Sequence, residues 1–224
     1  MARAYLQYCP VAHALELVGE RWALLIVRDL LKGPKRYGDL LAGMPGLGTN
    51  ILAARLKDLE QGGVVRRRKL PPPASVNVYE LTEYGEQLEE VIRALGRWGF
   101  QSLGPPPADC AMPEGWLVQG ALTMFDPSRA GDLHESYEVR CGDEVATIRI
   151  QNRTLEADPG GSEDVDAVLE FDVGTLFALA GGEMDPADAI AHGIARVEGD
   201  PEALTRFLCV FDTTRGQAAA PAAA

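Results

Sequence analysis

Arg66, Arg67, Arg68 and Lys69 stand side by side, the densest positive stretch in the 224 residues. Adjacent cations of this kind can lie along a row of phosphates and gain affinity from the counter-ions they displace. Just upstream, TNILAARLKDLEQ read at 3.6 residues per turn places Leu52, Leu56 and Leu59 on one stripe and Asn50, Ala54 and Lys57 on the opposite side. A helix with a small, polar outer face, followed by a basic hairpin, suits the major groove of DNA. The cations would then rest on flanking phosphates, and the Asn50 amide could pair bidentately with adenine. The same residues also fit an ordinary core helix followed by a solvated charge run, so their surroundings decide.

Catalytic chemistry has no comparable footing. The carboxylates are spread among turns and caps, and neither His134 nor His192 has a nucleophile at motif spacing, so no enzyme activity and no cofactor are expected. Cys9 sits just before a helix, where the helix dipole favours a thiolate. Cys9 and His13 are four apart, but no further ligand accompanies them and no metal site is expected. The cysteines at 9, 110, 141 and 209 are too scattered for a disulfide framework.

The elements that would position the cations and the amide are legible in the first hundred residues. Pro10 sits where a first helical turn tolerates it, and Val11, Leu15 and Val18 follow at helical spacing to Gly19. Residues 20–32, ERWALLIVRDLLK, are apolar on nearly every side, the pattern of a buried central helix ended by Gly33-Pro34. RYGDLLAGMPG gives a short helix carrying Leu40 and Leu41, then a Gly- and Pro-rich turn at 43–48. Thr49 serves as N-cap of the next helix and Gly62-Gly63 as its stop. Two helices joined by a tight turn, the second exposing a polar face, make a helix-turn-helix. Val64-Val65 opens a strand that runs into the cations, PPPASVN forms a loop, and VYELT returns with alternating pattern, completing a hairpin wing. Residues 83–103 are expected to form one long helix. In it Tyr84, Leu88, Val91, Leu95 and Trp98 make a narrow seam, suited to a second copy or to packing on the helix's own domain. A lone winged helix reads few base pairs, which favours the pair.

Charge divides along the same line. Residues 1–104 carry 14 Lys and Arg against 11 Asp and Glu, net +3, and residues 105–224 carry 7 against 22, net −15, within an overall −12. One half can approach a polyanion and the other is repelled by it. No apolar run nears the roughly 20 residues that cross a bilayer, and no signal-peptide pattern opens the chain, so a cytoplasmic location without membrane insertion is expected.

CPVAHALELVGERW at 9–22, RYGDLL at 36–41, NILAARLKDLEQGGVVRR at 50–67 and YELTEYGEQL at 79–88 occur in the order seen in HxlR-type bacterial winged-helix regulators, which residues 1–103 resemble. The resemblance implies a homodimer on palindromic double-stranded DNA, with the first and last helices of the domain at the dimer contact through Val11, Leu15 and the 84–98 seam. It also implies DNA contacts from Thr49, Asn50, Ala54, Arg55 and Lys57 of the recognition helix and from Arg66, Arg67, Arg68 and Lys69 of the wing. Arg36 and Tyr37 would meet backbone phosphate. Arg55 lies nearer the buried stripe, where a phosphate contact or an intramolecular ion pair suits it better than base readout. Some family members sense oxidants or electrophiles through a cysteine at the place of Cys9.

A Pro- and Gly-rich linker, 104–115, separates this domain from residues 116–212. There PEGWLVQGALTMF reads as a helix with Pro113 in its first turn. SYEVRC, EVATIRIQ, the stretch around TLEA, AVLEFD and IARVEG read as strands; GTLFALAGG, PADAIAHG and the segment after Asp200-Pro201 read as helices. YEVRCGDEVATIRIQN, AVLEFDVGTLFALAGGEMDPADAI and ARVEGDPEALTRFLCVF resemble the sterol carrier protein 2 fold, an α+β domain with a mixed five-stranded sheet whose members bind apolar molecules or lipids in a tunnel. The lining that carries over is Ile148, Ile150, Phe171, Leu176, Phe177, Leu179, Met184, Ile190, Phe207 and Phe211. These residues equally suit a solid core. The tail, 213–224, is low-complexity and expected to lack fixed structure. The whole reads as an α+β regulator, a repressor by its family's commoner mode, responding to an apolar small molecule or lipid. Two alternatives are a C-terminal domain serving only as a structural or interaction module, and a redox or electrophile sensor working through Cys9.

Overall fold

In the computed structural model, which describes residues 5–104, 106–107 and 112–213, the stripe Leu52, Leu56 and Leu59 is buried to 1% exposure or less. The first of two compact units, Met1–Ile92, is arranged around it. Helices α1 (Pro10–Val18), α2 (Ala23–Leu30), α3 (Tyr37–Ala42) and α4 (Thr49–Gln61) follow in order. The leucine stripe of α4 meets Ile26, Val27 and Leu30 of α2, Leu40 of α3, and Met44 and Leu47 from the turn between α3 and α4. Each such side chain, fully buried, contributes about 1.5–3 kcal/mol.

Two expectations about these helices change. Helix α2 is shorter than residues 20–32 and one-sided: Leu25 is exposed, while Asp29 is buried against Arg28 (2.9 Å) and Lys32 (3.8 Å). A buried carboxylate is tolerated there because it is paired. Thr49 is the first residue of α4 rather than its cap; extended Gly48 takes the cap position, and the Thr49 carbonyl instead accepts the Tyr37 hydroxyl at 2.6 Å.

Gly63, at φ +70°, turns the chain out of α4 into strand β1 (Val65–Lys69), which pairs antiparallel with β2 (Asn77–Leu81). Arg66 lies opposite Glu80 and Arg67 opposite Tyr79. Lys35 adds a single bridge to the far side of β2 through Tyr79, N···O 3.0 and 2.8 Å. Residues 83–103 are not one helix. Thr82 caps α5 (Glu83–Glu86), accepting the Gly85 amide at 3.0 Å, and the helix parts at Gln87 before α6 (Leu88–Phe100). The short first piece is drawn onto the wing root, where Gly85 lies against the Val64 carbonyl. Leu88, assigned to the seam, is half-buried with Ile92 on the core of its own unit.

The second unit, Arg93–Ala224, takes over inside α6, ahead of the 104–115 stretch read as a linker. Residues 105 and 108–111 of that stretch, and the tail from 214, lie outside the described residues. Helix α7 (Trp116–Met124) starts later than Pro113 would have it: Gly115, in the left-handed region, precedes it, and Glu144 accepts the amides of Gly115 and Leu117 at 2.6 and 3.0 Å. At its other end the carbonyls of Leu122 and Thr123, left without helical partners, accept Arg93 and Arg97.

Strands β3 (Glu135–Cys141), β4 (Glu144–Gln151), β5 (Thr154–Pro159), β6 (Ala167–Phe171) and β7 (Arg196–Glu198) form a mixed sheet in the order β5-β4-β3-β6-β7, with β6 parallel to β3. Apolar residues alternate along its central strands, although Glu138 and Thr147 on the other face are buried as well. Tyr137, Val139 and Cys141, then Ala146, Ile148 and Ile150, then Ala167, Leu169 and Phe171, are all buried in one cluster. Helices α8 (Val173–Ala180), α9 (Pro186–Ala191) and α10 (Ala203–Cys209) contribute Leu179, Ala189, Ala203, Leu204 and Phe207 to the same cluster. Asp172 and Asp185 cap α8 and α9 by accepting the amides of Thr175 and Ala187. Of the residues expected to line a tunnel, Ile148, Ile150, Phe171, Leu179, Phe207 and Phe211 are buried in this cluster. Leu176, Met184 and Ile190 are half-buried against it, and Phe177 stacks on Phe100 with centroids 6.1 Å apart.

Candidate nucleic-acid interface

With its leucines turned inward, α4 exposes Asn50, Ala54 and Lys57, as its period requires. Thr49 is exposed at its first turn. Arg55 is different. It is half-buried, and its guanidinium meets Glu20 (3.1 Å) and Asp58 (2.6 Å), the intramolecular ion pair that was one of its two readings beside a phosphate contact. Of the two α3 residues, Arg36 is exposed at the cap position with its backbone N–H on Asp39 (3.1 Å). Tyr37 is half-buried, and its hydroxyl ties α3 to the first turn of α4, so it positions the recognition helix while Arg36 remains open to phosphate.

The wing cations are not four equals. Strand period separates Arg66 and Arg68 from Arg67 and Lys69. Arg66 Nε and Arg68 Nε each donate to the Glu80 carboxylate at 2.8 Å, one to each oxygen, and Arg68 Nη2 lies 2.7 Å from it. The hydrogen bond from Arg68 is the main force holding the Glu80 carboxyl below the usual carboxylate range, against the opposite push of its burial. Arg67 sits over the Tyr79 ring, 6.0 Å from its centroid, and Lys69 is exposed. Glu80, Tyr79 and Lys35 escaped a local reading of the sequence; the available signal was the register of the two hairpin strands, which sets Glu80 opposite Arg66.

Large apolar side chains are also exposed on α1, α5 and α6. Val11 (67% exposed), Leu15, Tyr84, Val91, Leu95 and Trp98 (70%) are all open. Cys9 stands at the cap position of α1, half-buried, with its carbonyl on the His13 amide at 3.0 Å. Cys141, by contrast, is fully buried, and that burial pushes its thiol up to about 12, so it stays protonated and inert. Among the described residues no group of three or more His, Cys, Asp or Glu is placed to hold a metal ion, and no helix is long and apolar enough to cross a membrane.

A family model for the HxlR-like helix-turn-helix matches residues 17–106. The HTH-type transcriptional regulator YodB of Bacillus subtilis is 37% identical over 103 residues, 46% of this chain and 92% of YodB. The chain belongs to the HxlR-like family. A regulator of the same type from Synechocystis, sll1512, is 33% identical over 104 residues, 46% of this chain and 77% of that protein. Among solved structures, the reduced form of YodB is 36% identical, covering 45% of this chain and 100% of its own, with a TM-score of 0.39. A quinone-bound form of YodB is also solved, at 36% identity over 42% of this chain and 99% of its own, with a TM-score of 0.37. This HxlR-like protein is a DNA-binding regulator. Residues 111–217 match a different model, the alkyl sulfatase C-terminal domain, where the sequence had suggested the sterol carrier protein 2 fold.

Proposed function

We propose that this HxlR-like protein is a homodimeric repressor whose two recognition helices read a palindromic operator. The observation that carries the reading is the polar, exposed face of α4 beside a wing bearing Arg66–Lys69. Asn50 reads bases through its amide, Lys57 and Arg67 address phosphate, and the exposed apolar side chains of α1 (Val11, Leu15) and of α6 (Val91, Leu95, Trp98) each take a second copy. Titration of the protein's own upstream DNA against a scrambled duplex tests this division of labour. Asn50→Ala is expected to narrow the preference for the specific duplex by about 10-fold or more. Arg67→Ala is expected to weaken both duplexes alike and to reduce the salt slope by about 1. Equal loss of specificity in the two variants would contradict it.

The second unit we read as a binding module rather than an enzyme, holding an apolar small molecule or lipid between its sheet and helices in the manner of the sterol carrier protein 2 fold. The five-stranded mixed sheet with helices packed on it supports that reading. Control of the operator then requires the ligand to prefer one dimer geometry. Cys9 at the cap of α1 supports a second reading, in which an oxidant or electrophile is the signal. One set of titrations separates them: lipid extract should lower operator affinity at least several-fold in both wild type and Cys9→Ser, whereas diamide should act on wild type only if the thiol is the sensor. Unchanged affinity under every addition would remove both.

A further inference from the structure

Glu80 is a carboxylate set among the cations of a surface that addresses phosphate, and its side chain is only 10% exposed while those of Arg66 and Arg68 above it are 64% and 45% exposed. Its two oxygens are shared out, Oε1 to Arg66 Nε and Oε2 to Arg68 Nε and Nη2. A guanidinium carries five N–H donors, so the terminal donors of Arg66 and the outer edge of Arg68 stay uncommitted to Glu80. We infer that Glu80 is a positioning residue for DNA binding, locking Arg66 and Arg68 side by side so that their outer N–H groups meet backbone phosphate as a preformed fork. This rests on the DNA-binding reading above.

The charge count makes the arrangement informative. Two guanidiniums and one carboxylate leave a net +1, which a single arginine would supply without Glu80. A negative group that only cancelled charge would weaken the wing and gain nothing. What the carboxylate supplies is order: an arginine surrenders rotamer freedom when it grips phosphate, and one already fixed in place surrenders less. The bidentate match of guanidinium to phosphate also depends on orientation, which a swinging side chain lacks. The sign of the Glu80→Gln effect therefore separates positioning from neutralisation.

The full chain would be titrated with fluorescent duplex of its own upstream sequence over a range of KCl, as wild type, Glu80→Gln, Arg66→Ala/Arg68→Ala and the triple variant. Positioning predicts that Glu80→Gln, although it removes a negative charge, weakens binding by about 5-fold with a shallower salt slope. In the background lacking both arginines the same change should be neutral or slightly favourable. Tighter, steeper binding by Glu80→Gln would overturn the inference, and so would an equal loss in both backgrounds, the mark of a residue that merely holds the hairpin. Wild type that ignores DNA at low salt would remove the underlying reading as well, and is told apart because the arginine variants would then change nothing. Should Glu80→Gln not fold, Arg68→Lys decides: it keeps the charge without the fork and should bind as poorly as Arg68→Ala, whereas wild-type affinity would refute the role.

Discussion

Leu95→Glu should leave a folded but monomeric chain whose hold on operator DNA is weaker by about 100-fold or more. The side chain lies on the open side of α6, between Val91 and Trp98, and touches neither buried cluster, so the substitution spares the fold. In the proposed dimer the same position would be interior. Burying exposed side chains such as Val11, Val91, Leu95 and Trp98 is worth roughly 1.5–3 kcal/mol for each one fully covered. A carboxylate among them forfeits part of that gain and must also be desolvated without a partner. The larger consequence falls on DNA. Two linked half-site contacts bind more tightly than one by about 10²–10⁴, and a monomer keeps only one. Light scattering would report the mass, and titration the affinity. A Leu95→Glu chain that remains dimeric and binds as wild type would move the partner surface elsewhere.

Gly85→Ala should destabilise the first unit by about 3 kcal/mol. In an open helical position alanine would be the better residue by about 1 kcal/mol. At residue 85, however, a β-carbon would fall well inside van der Waals contact with the Val64 carbonyl oxygen, which also accepts the Thr82 amide at 3.0 Å. That wall is backbone, and moving it separates α5 from the root of the wing, while the Leu81 side chain closes the space beside it. Gly38, in α3, has nothing within 4 Å of the equivalent position and is the matched control, where alanine should be neutral or mildly stabilising. Denaturant unfolding of the full chain would show the first transition shifted to lower concentration for Gly85→Ala alone. An unshifted midpoint would mean that Gly85 is not pressed against the strand.

The recognition helix was readable because its signals are local and agree. Leu52, Leu56 and Leu59 recur at helical spacing, Gly62-Gly63 supply the stop, and Asn50, Ala54 and Lys57 opposite the stripe are small or polar. The strands of the second unit were readable for a similar reason: alternation of apolar residues in YEVRC and VATIRI, with glycine at the turn between them, sets which side chains go inward, whereas the mixed sheet came only from the resemblance. What escaped was set by partners distant in sequence. Arg66 and Arg68 look like two members of a uniform cationic run until the hairpin register brings Glu80 between them; for Arg55 an intramolecular ion pair was legible from its place near the stripe, but its distant partner Glu20 was not. The break at Gln87 was invisible because residues 83–103 hold a helical period throughout; the contact of Gly85 with Val64 belongs to the fold, not to the segment. Ile148, Phe171 and Phe207 illustrate a different limit, since apolar residues that fill a core and those that face a ligand carry the same pattern.

The most direct measurement is the mass of the wild-type chain, free and bound to a duplex from its own upstream region, by light scattering in dilute buffer. A dimer in solution and two chains per duplex are the expected results, with affinity that falls steeply as salt is added. A monomer that stays a monomer and leaves the duplex free would contradict the reading of α4 and the wing as DNA-contacting elements in a symmetric pair held by α6.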